Sequence, residues 1–218
     1  TGLIAKSQKE FSEKFGAKGC FFGVNGASGL IQSAVIAMAN PGEAILMPRN
    51  VHISVIKTCA MQNIIPIFFD LEFSSETGHY KPITKIWLEK VLKKSKFIKG
   101  KIAGVILVSP SYHGYAGDLD PLIDLCHQKD LPVLVDEAHG SYFLFCEGQD
   151  LPKSALLSDA DLVVHSLHKS LNGLTQTATL WYKGDLVNEH NLIKSINLLQ
   201  TTSPSSLLLS SCEESIKD

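Results

Sequence analysis

Two residues of opposite charge stand at the ends of apolar runs: Asp136 closes Pro132–Val135, and Lys169 follows Leu162–His165, 33 residues further on. A carboxylate at the end of a buried strand is shielded from water and needs a cationic partner or strong donors. A lysine in a desolvated cleft beside another cation has a lowered pKa, and its free amine forms a Schiff base with a carbonyl group. Together the two suit one cofactor, pyridoxal 5'-phosphate (PLP). Its aldehyde takes the lysine, and its pyridine nitrogen stays protonated beside a carboxylate, which makes the ring an electron sink. Taken singly, each has an ordinary reading: an aspartate as a helix cap, a lysine as a solvated end.

Other residues converge on the same chemistry. Gly26-Ala27-Ser28-Gly29 lies between an apolar run and a helix-like stretch, where small residues let backbone N–H groups approach a phosphate. Ser166 and His168 flank the lysine and supply donors for the same phosphate, and His52 is placed to stack on a pyridine ring. Two competing patterns fail. Asp136-Glu137-Ala138-His139 matches a helicase signature, but no G-x-x-x-x-G-K-[ST] phosphate loop precedes it. His165, His168 and His139 mimic a metal set, but strand residues an odd number apart point to opposite faces, so no metal site is expected.

The elements that position these residues alternate. Cys20–Val24, Ala44–Met47, Ile64–Phe69, Ile102–Ser109, Pro132–Val135, Leu162–His165 and Thr177–Tyr182 read as strands buried on both faces. Gly29–Asn40, His52–Asn63, Ile83–Lys94, Leu119–Lys129, Asp185–Leu199 and Ser206–Asp218 read as helices. The expected fold is therefore three-layer α/β/α around a mostly parallel seven-stranded sheet. In such sheets ligands bind beyond the carboxyl ends of the strands, where all the candidates fall. In the 83–94 helix, Ile83, Ile86, Trp87 and Val91 are expected on the buried side, widened by Leu88 and Leu92, with Lys90 snorkelling. The lysine-rich piece Lys93–Lys101 reads as a solvated face, and 70–82 as a polar surface loop.

Composition narrows the class. Of 218 residues, 44% are hydrophobic and 19% charged, which is ordinary globular composition, and the net charge of −2 offers no basic surface for nucleic acid. No apolar run approaches the roughly 20 residues that cross a membrane. Five dispersed cysteines without a C-x-x-C pair read as reduced thiols of a cytoplasmic protein.

These motifs resemble one family, the bacterial ornithine/lysine/arginine decarboxylases of PLP fold type I. The resemblance runs over about residues 1–215 through VNGASG at 24–29, PRNVHIS at 48–54, SPSYHGYAGDL at 109–119, DEAHGSYF at 136–143, ADLVVHSLHKSLNGLTQTATL at 160–180 and QTTSPSSLLLSS at 200–211. It implies the following roles. Lys169 is the Schiff-base lysine and Asp136 the partner of the ring nitrogen. Ala138 packs on the ring face opposite His52. Ala27, Ser28, Ser166 and His168 hold the phosphate, and Tyr112 lies near cofactor and substrate. His139 lines the pocket and, with Lys169, is a candidate for returning a proton to the substrate. Thr201–Ser205 resembles a stretch near a dimer interface, so a homodimer or larger homo-oligomer is implied.

The implied reaction is decarboxylation of arginine, lysine or ornithine to the amine and carbon dioxide. Ala27 departs from the family, which has threonine there and thus one more hydroxyl donor. The family also carries an N-terminal segment and a small C-terminal domain, so residues 1–218 are expected to be the PLP-binding major domain of a longer protein. Two alternatives stand beside this reading. One is an aminotransferase or acyl-CoA-condensing synthase of the same fold, and the other a silent homologue acting through subunit binding.

Overall fold

The computed structural model describes residues 2–95, 100–146 and 148–217. The chain opens with α1 (Leu3–Lys14), then runs β1 (Gly19–Gly23), α2 (Gly26–Met38), β2 (Ala44–Pro48), α3 (Ile53–Gln62), β3 (Ile65–Phe69), the short β4 (Phe73–Ser74) and β5 (His79–Tyr80), and α4 (Lys85–Ser95). The second half is β6 (Ile102–Val108), α5 (Asp120–His127), β7 (Val133–Asp136), β8 (Leu162–Ser166), α6 (Leu167–Ser170), β9 (Ala178–Tyr182), α7 (Glu189–Leu199) and α8 (Ser206–Lys217). A 3-10 turn covers Ser141–Phe145.

Seven strands form one sheet in the order β1-β9-β8-β7-β6-β2-β3. Neighbours are parallel except for β9, which runs antiparallel to both β1 and β8. The inner strands β2, β7, β8 and β9 are buried on both faces, as strands between helix layers must be. The edge strand β3, expected buried on both faces, is only partly covered because no strand among the described residues pairs with its outer edge, and Ile65 is 44% exposed. Alternation splits them into two cores. Val133, Val135, Val163 and Trp181 face α1, α4, α5 and α8, while Leu134, Leu162, Val164 and Leu180 face α2, α3 and α7. This is the expected three-layer α/β/α arrangement.

Differences from the sequence reading are local. α1 was not anticipated, because its mixed polar sequence LIAKSQKEFSEK buries little beyond Ser7, Phe11 and Ser12. The 70–82 loop contains the β4–β5 hairpin, with Phe73 and Tyr80 edge to face at 5.5 Å. On α4 the buried line is Leu88, Leu92 and Ser95, whereas Ile86 is 67% exposed. The apolar side is thus rotated from the one expected, because the helix turns Leu88 and Leu92 into the core that it shares with Leu122 and Leu125 of α5. Lys90 is exposed, its ammonium 5.9 Å from the Trp87 ring centroid. Within the lysine-rich piece Lys93, Lys94 and Lys101 are exposed, while residues 96–99 lie outside the described residues. Among the described residues no helix is long and apolar enough to cross a membrane, and no group of three or more potential ligands gathers as a metal site.

Candidate active site

A cavity of about 370 Å³ opens at the carboxyl ends of the strands. It is lined by Ala27 and Ser28 at the start of α2, by His52 before α3, by Asp136, Ala138 and His139 after β7, by Lys169 in α6, and by Tyr112. Sheet order explains the convergence. Val108 of β6 pairs with Asp136 of β7, and Asp136 with Val164 of β8, so the exits of three adjacent strands face one cleft.

Asp136 is 7% exposed and sits on the last residue of β7. Its Oδ1 accepts the Ala138 N–H at 3.2 Å, and among the described residues it makes no ion pair. Burial pushes its carboxyl above the ordinary value, opposed by the Ala138 N–H and the nearby charges of Lys169 and His52. An anion so shielded, with a single backbone donor, has room for a cationic partner.

Lys169 follows Ser166 by three residues, on the short helix α6 that β8 feeds. Its ammonium donates to His139 Nε2 at 3.1 Å. Burial, then the charges of Lys169 and His52, holds the His139 imidazole below its usual value, which keeps it a neutral acceptor. The Tyr112 ring meets His139 edge to face at 5.5 Å and is 81% exposed at the cavity mouth.

His52 is both an exposed ring and a helix cap. Its Nδ1 accepts the Ser54 N–H at 3.2 Å and lies 2.8 Å from Ser54 Oγ. The backbone donor makes Nδ1 the acceptor and places the neutral ring's proton on Nε2. At α2, Gly26 takes φ +74°, a conformation glycine adopts freely, and its N–H donates to Gln176 O at 2.9 Å. No side chain caps this helix, so its opening N–H groups face the cavity side without a side-chain acceptor.

Lys169, Asp136, His52, His139, Ala27, Ser28, Tyr112 and Ala138 are therefore brought together. Ser166 and His168 are not on the cavity wall. Ser166 is fully buried with its hydroxyl 3.3 Å from His168 Nδ1, and that nitrogen lies 3.4 Å from Thr177 O. Thr201–Ser205 is exposed and is not among the residues that line the cavity. Sequence reasoning placed Asn50 among the polar residues past a strand end but gave it no role; it lines the cavity with a buried Oδ1 that has no partner among the described residues. Its signal was position, a polar residue just past β2. A second cavity of about 340 Å³, between β3 and α4, is lined by Ile67, Phe69, Trp87 and Val91 and holds none of these groups.

Residues 1–217 match the Orn/Lys/Arg decarboxylase major-domain family. The chain belongs to this family. The Orn/Lys/Arg decarboxylases are PLP-dependent amino-acid decarboxylases. Similar relatives are the arginine decarboxylase of Bacillus cereus, 38% identical over 212 residues, and that of Halalkalibacterium halodurans, 38% identical over 216 residues. These matches cover 97% and 99% of this chain but 45% and 43% of the relatives, so the chain spans less than half their length. Among solved structures, the lysine decarboxylase LdcF of Francisella novicida has the same fold, with a TM-score of 0.84 at 22% identity, over 99% of this chain and 31% of that one.

Proposed function

We propose that this decarboxylase-family chain is the PLP-binding major domain of an arginine decarboxylase that releases the amine and carbon dioxide. The observation that carries the reading is one cavity holding a buried, unpaired carboxylate, a lysine amine and an uncapped helix N-terminus. Arginine is preferred among the basic amino acids because the relatives at 38% identity are arginine decarboxylases.

In this reading Asp136 holds the pyridine nitrogen and Lys169 takes the aldehyde. Ala27 and Ser28 hold the phosphate at the start of α2 through backbone N–H groups and the Ser28 hydroxyl. His52 and Ala138 flank the ring. Bound PLP supplies the electron sink for loss of carbon dioxide. Lys169 also serves as a base and donor, because its contact with neutral His139 offers a path for its proton. Ser166 and His168 support the phosphate end from behind the wall, and Tyr112 covers the mouth. A second copy of the chain docks beside Thr201–Ser205, where Leu198 and Leu207 are 68% and 67% exposed. Substrate recognition is assigned to the intact protein, since chain-length discrimination by one methylene is worth only about 1–3 kcal/mol and needs a complete pocket.

The test is a visible absorbance titration of the intact protein with PLP, followed by arginine, lysine or ornithine with carbon dioxide trapped. A band that changes with arginine, with stoichiometric carbon dioxide, is expected. A band without carbon dioxide release turns the reading to an aminotransferase or synthase, and absence of any band removes it. Lys169→Ala should abolish the covalent band; a variant that keeps it refutes the lysine's role.

A further inference from the structure

Behind the cavity wall lies a polar cluster that the proposed chemistry does not use. Asp136 points toward the α2 layer, and the next residue, Glu137, turns to the opposite face and is fully buried. Its Oε2 accepts from the Ser154 hydroxyl at 2.7 Å and sits 2.7 Å from His165 Nε2, while Oε1 accepts the Ala155 N–H at 2.9 Å. His165, on β8, is 1% exposed, and its Nδ1 accepts the indole N–H of Trp181 on β9 at 3.0 Å.

Donor and acceptor roles in this cluster follow from one atom. The Trp181 indole N–H can only donate, so His165 Nδ1 must accept, and its Nε2 carries the proton given to Glu137. The imidazole is thereby fixed as neutral. Three donors satisfy one buried carboxylate with no cation beside it. Glu137 also donates its backbone N–H to Val164 O at 3.1 Å. The cluster thus ties the exit of β7, one residue past Asp136, to β8, four residues before Lys169, and ties both to β9.

We infer that Glu137 is a positioning residue. Through His165 it sets the separation of the two strand exits that carry Asp136 and Lys169, and hence the orientation of the cofactor ring between them; Trp181 only fixes which His165 nitrogen carries the proton. This rests on the proposed PLP reading. A neutral amide of the same shape does not fit. Turned one way, the amide nitrogen of a glutamine meets the His165 Nε2–H; turned the other, it meets the Ala155 N–H. His165 cannot relieve the first clash by moving its proton to Nδ1 while Trp181 donates there. With phenylalanine at 181 it can.

The experiment uses the intact protein and reads the visible circular dichroism per bound PLP, which reports ring orientation, along with PLP affinity. Glu137→Gln should keep its far-ultraviolet spectrum, lose half or more of the induced signal, and bind PLP about tenfold more weakly, as leaving one buried donor without its acceptor carries a cost of this order. Trp181→Phe alone should change both little. The double variant Glu137→Gln/Trp181→Phe should recover most of the induced signal per bound PLP, the coupling expected of residues in one hydrogen-bond network. A folded Glu137→Gln protein with the parent's signal and affinity overturns the inference, as does a double variant no better than the single one. If Glu137→Gln does not fold, nitrogen-15 shifts of His165 in the parent decide: a neutral ring protonated on Nε2 supports the clamp, and an imidazolium or Nδ1–H ring overturns it. A parent that shows no induced signal with PLP removes the proposed function itself, an outcome distinct from a normal parent and an unchanged variant.

Discussion

Under the proposed reading His52 carries two separable duties, a helix cap and a ring against the cofactor, and a pair of substitutions divides them. As the cap of α3 it accepts the Ser54 N–H at 3.2 Å, and loss of a capping side chain costs about 0.5–2 kcal/mol. For a cooperative unit of 218 residues the unfolding entropy is about 0.46 kcal/mol/K, so a loss near 1 kcal/mol lowers the midpoint by about 2 °C. His52→Ala should show that drop without PLP. His52→Asn restores a capping oxygen and should return the midpoint to within about 0.5 °C, because asparagine is among the best caps. The ring, however, is gone in both. An aromatic pair contributes about 0.5–1.5 kcal/mol beyond burial, so both variants should bind PLP about 2–12-fold more weakly. Thermal unfolding without cofactor and absorbance titration with it supply the two readings. If His52→Asn restores PLP affinity along with the midpoint, His52 is a cap alone and the stacking argument fails.

Asp136 gives a pH prediction with a defined sign. Burial raises its folded value above the unfolded one, so the stability it contributes is present below the ordinary carboxylate range and lost as pH rises through the raised value. Asp136→Asn should flatten that part of the apo-protein's stability profile while leaving the part due to Asp161, which burial also raises; an unchanged profile in chemical denaturation would contradict the assignment. PLP affinity should rise over the same interval in the parent and not in Asp136→Asn, as read by titration at several pH values. Leu30 is fully buried in α2, and a Cβ on Gly23 would lie 2.7 Å from its Cδ1, so the two surfaces are in close contact. Leu30→Ala should cost about 2–5 kcal/mol of stability in denaturant unfolding, and a cost under about 1 kcal/mol would mean the β1–α2 contact is looser than described.

The strands were legible because parallel strands between two helix layers are apolar without interruption, and Val133–Val135 or Leu162–Val164 can be little else. The site was legible because ligand groups in such sheets follow strand ends, which brought Asp136, Lys169 and His52 forward. α1 was not, since a helix that buries one narrow line leaves little period in its sequence. Glu137 and His165 were unreadable for another reason. Their partners, Ser154, Ala155 and Trp181, lie 16 to 18 residues away in sequence and the two lie 28 residues from each other, and no local pattern tells a buried carboxylate with three donors from a solvated one.

The lone reversed strand has a bearing on how the site comes into being. β1 is held in the sheet by β9 alone, joining residues 19–23 to residues 178–182. α2 follows directly from β1, and its first N–H is held by Gln176. Closing so long a loop is slow and comes late in folding. On a ribosome, α2 can pack on β7 and β8 first, but β1 and the Gln176 contact that hold its start are completed only when the strand beyond Lys169 has emerged. A chain arrested before residue 178 would carry Asp136 and Lys169 with β1 unpaired, and under the proposed reading the cofactor would meet a cavity whose α2 wall is not yet fixed at its start.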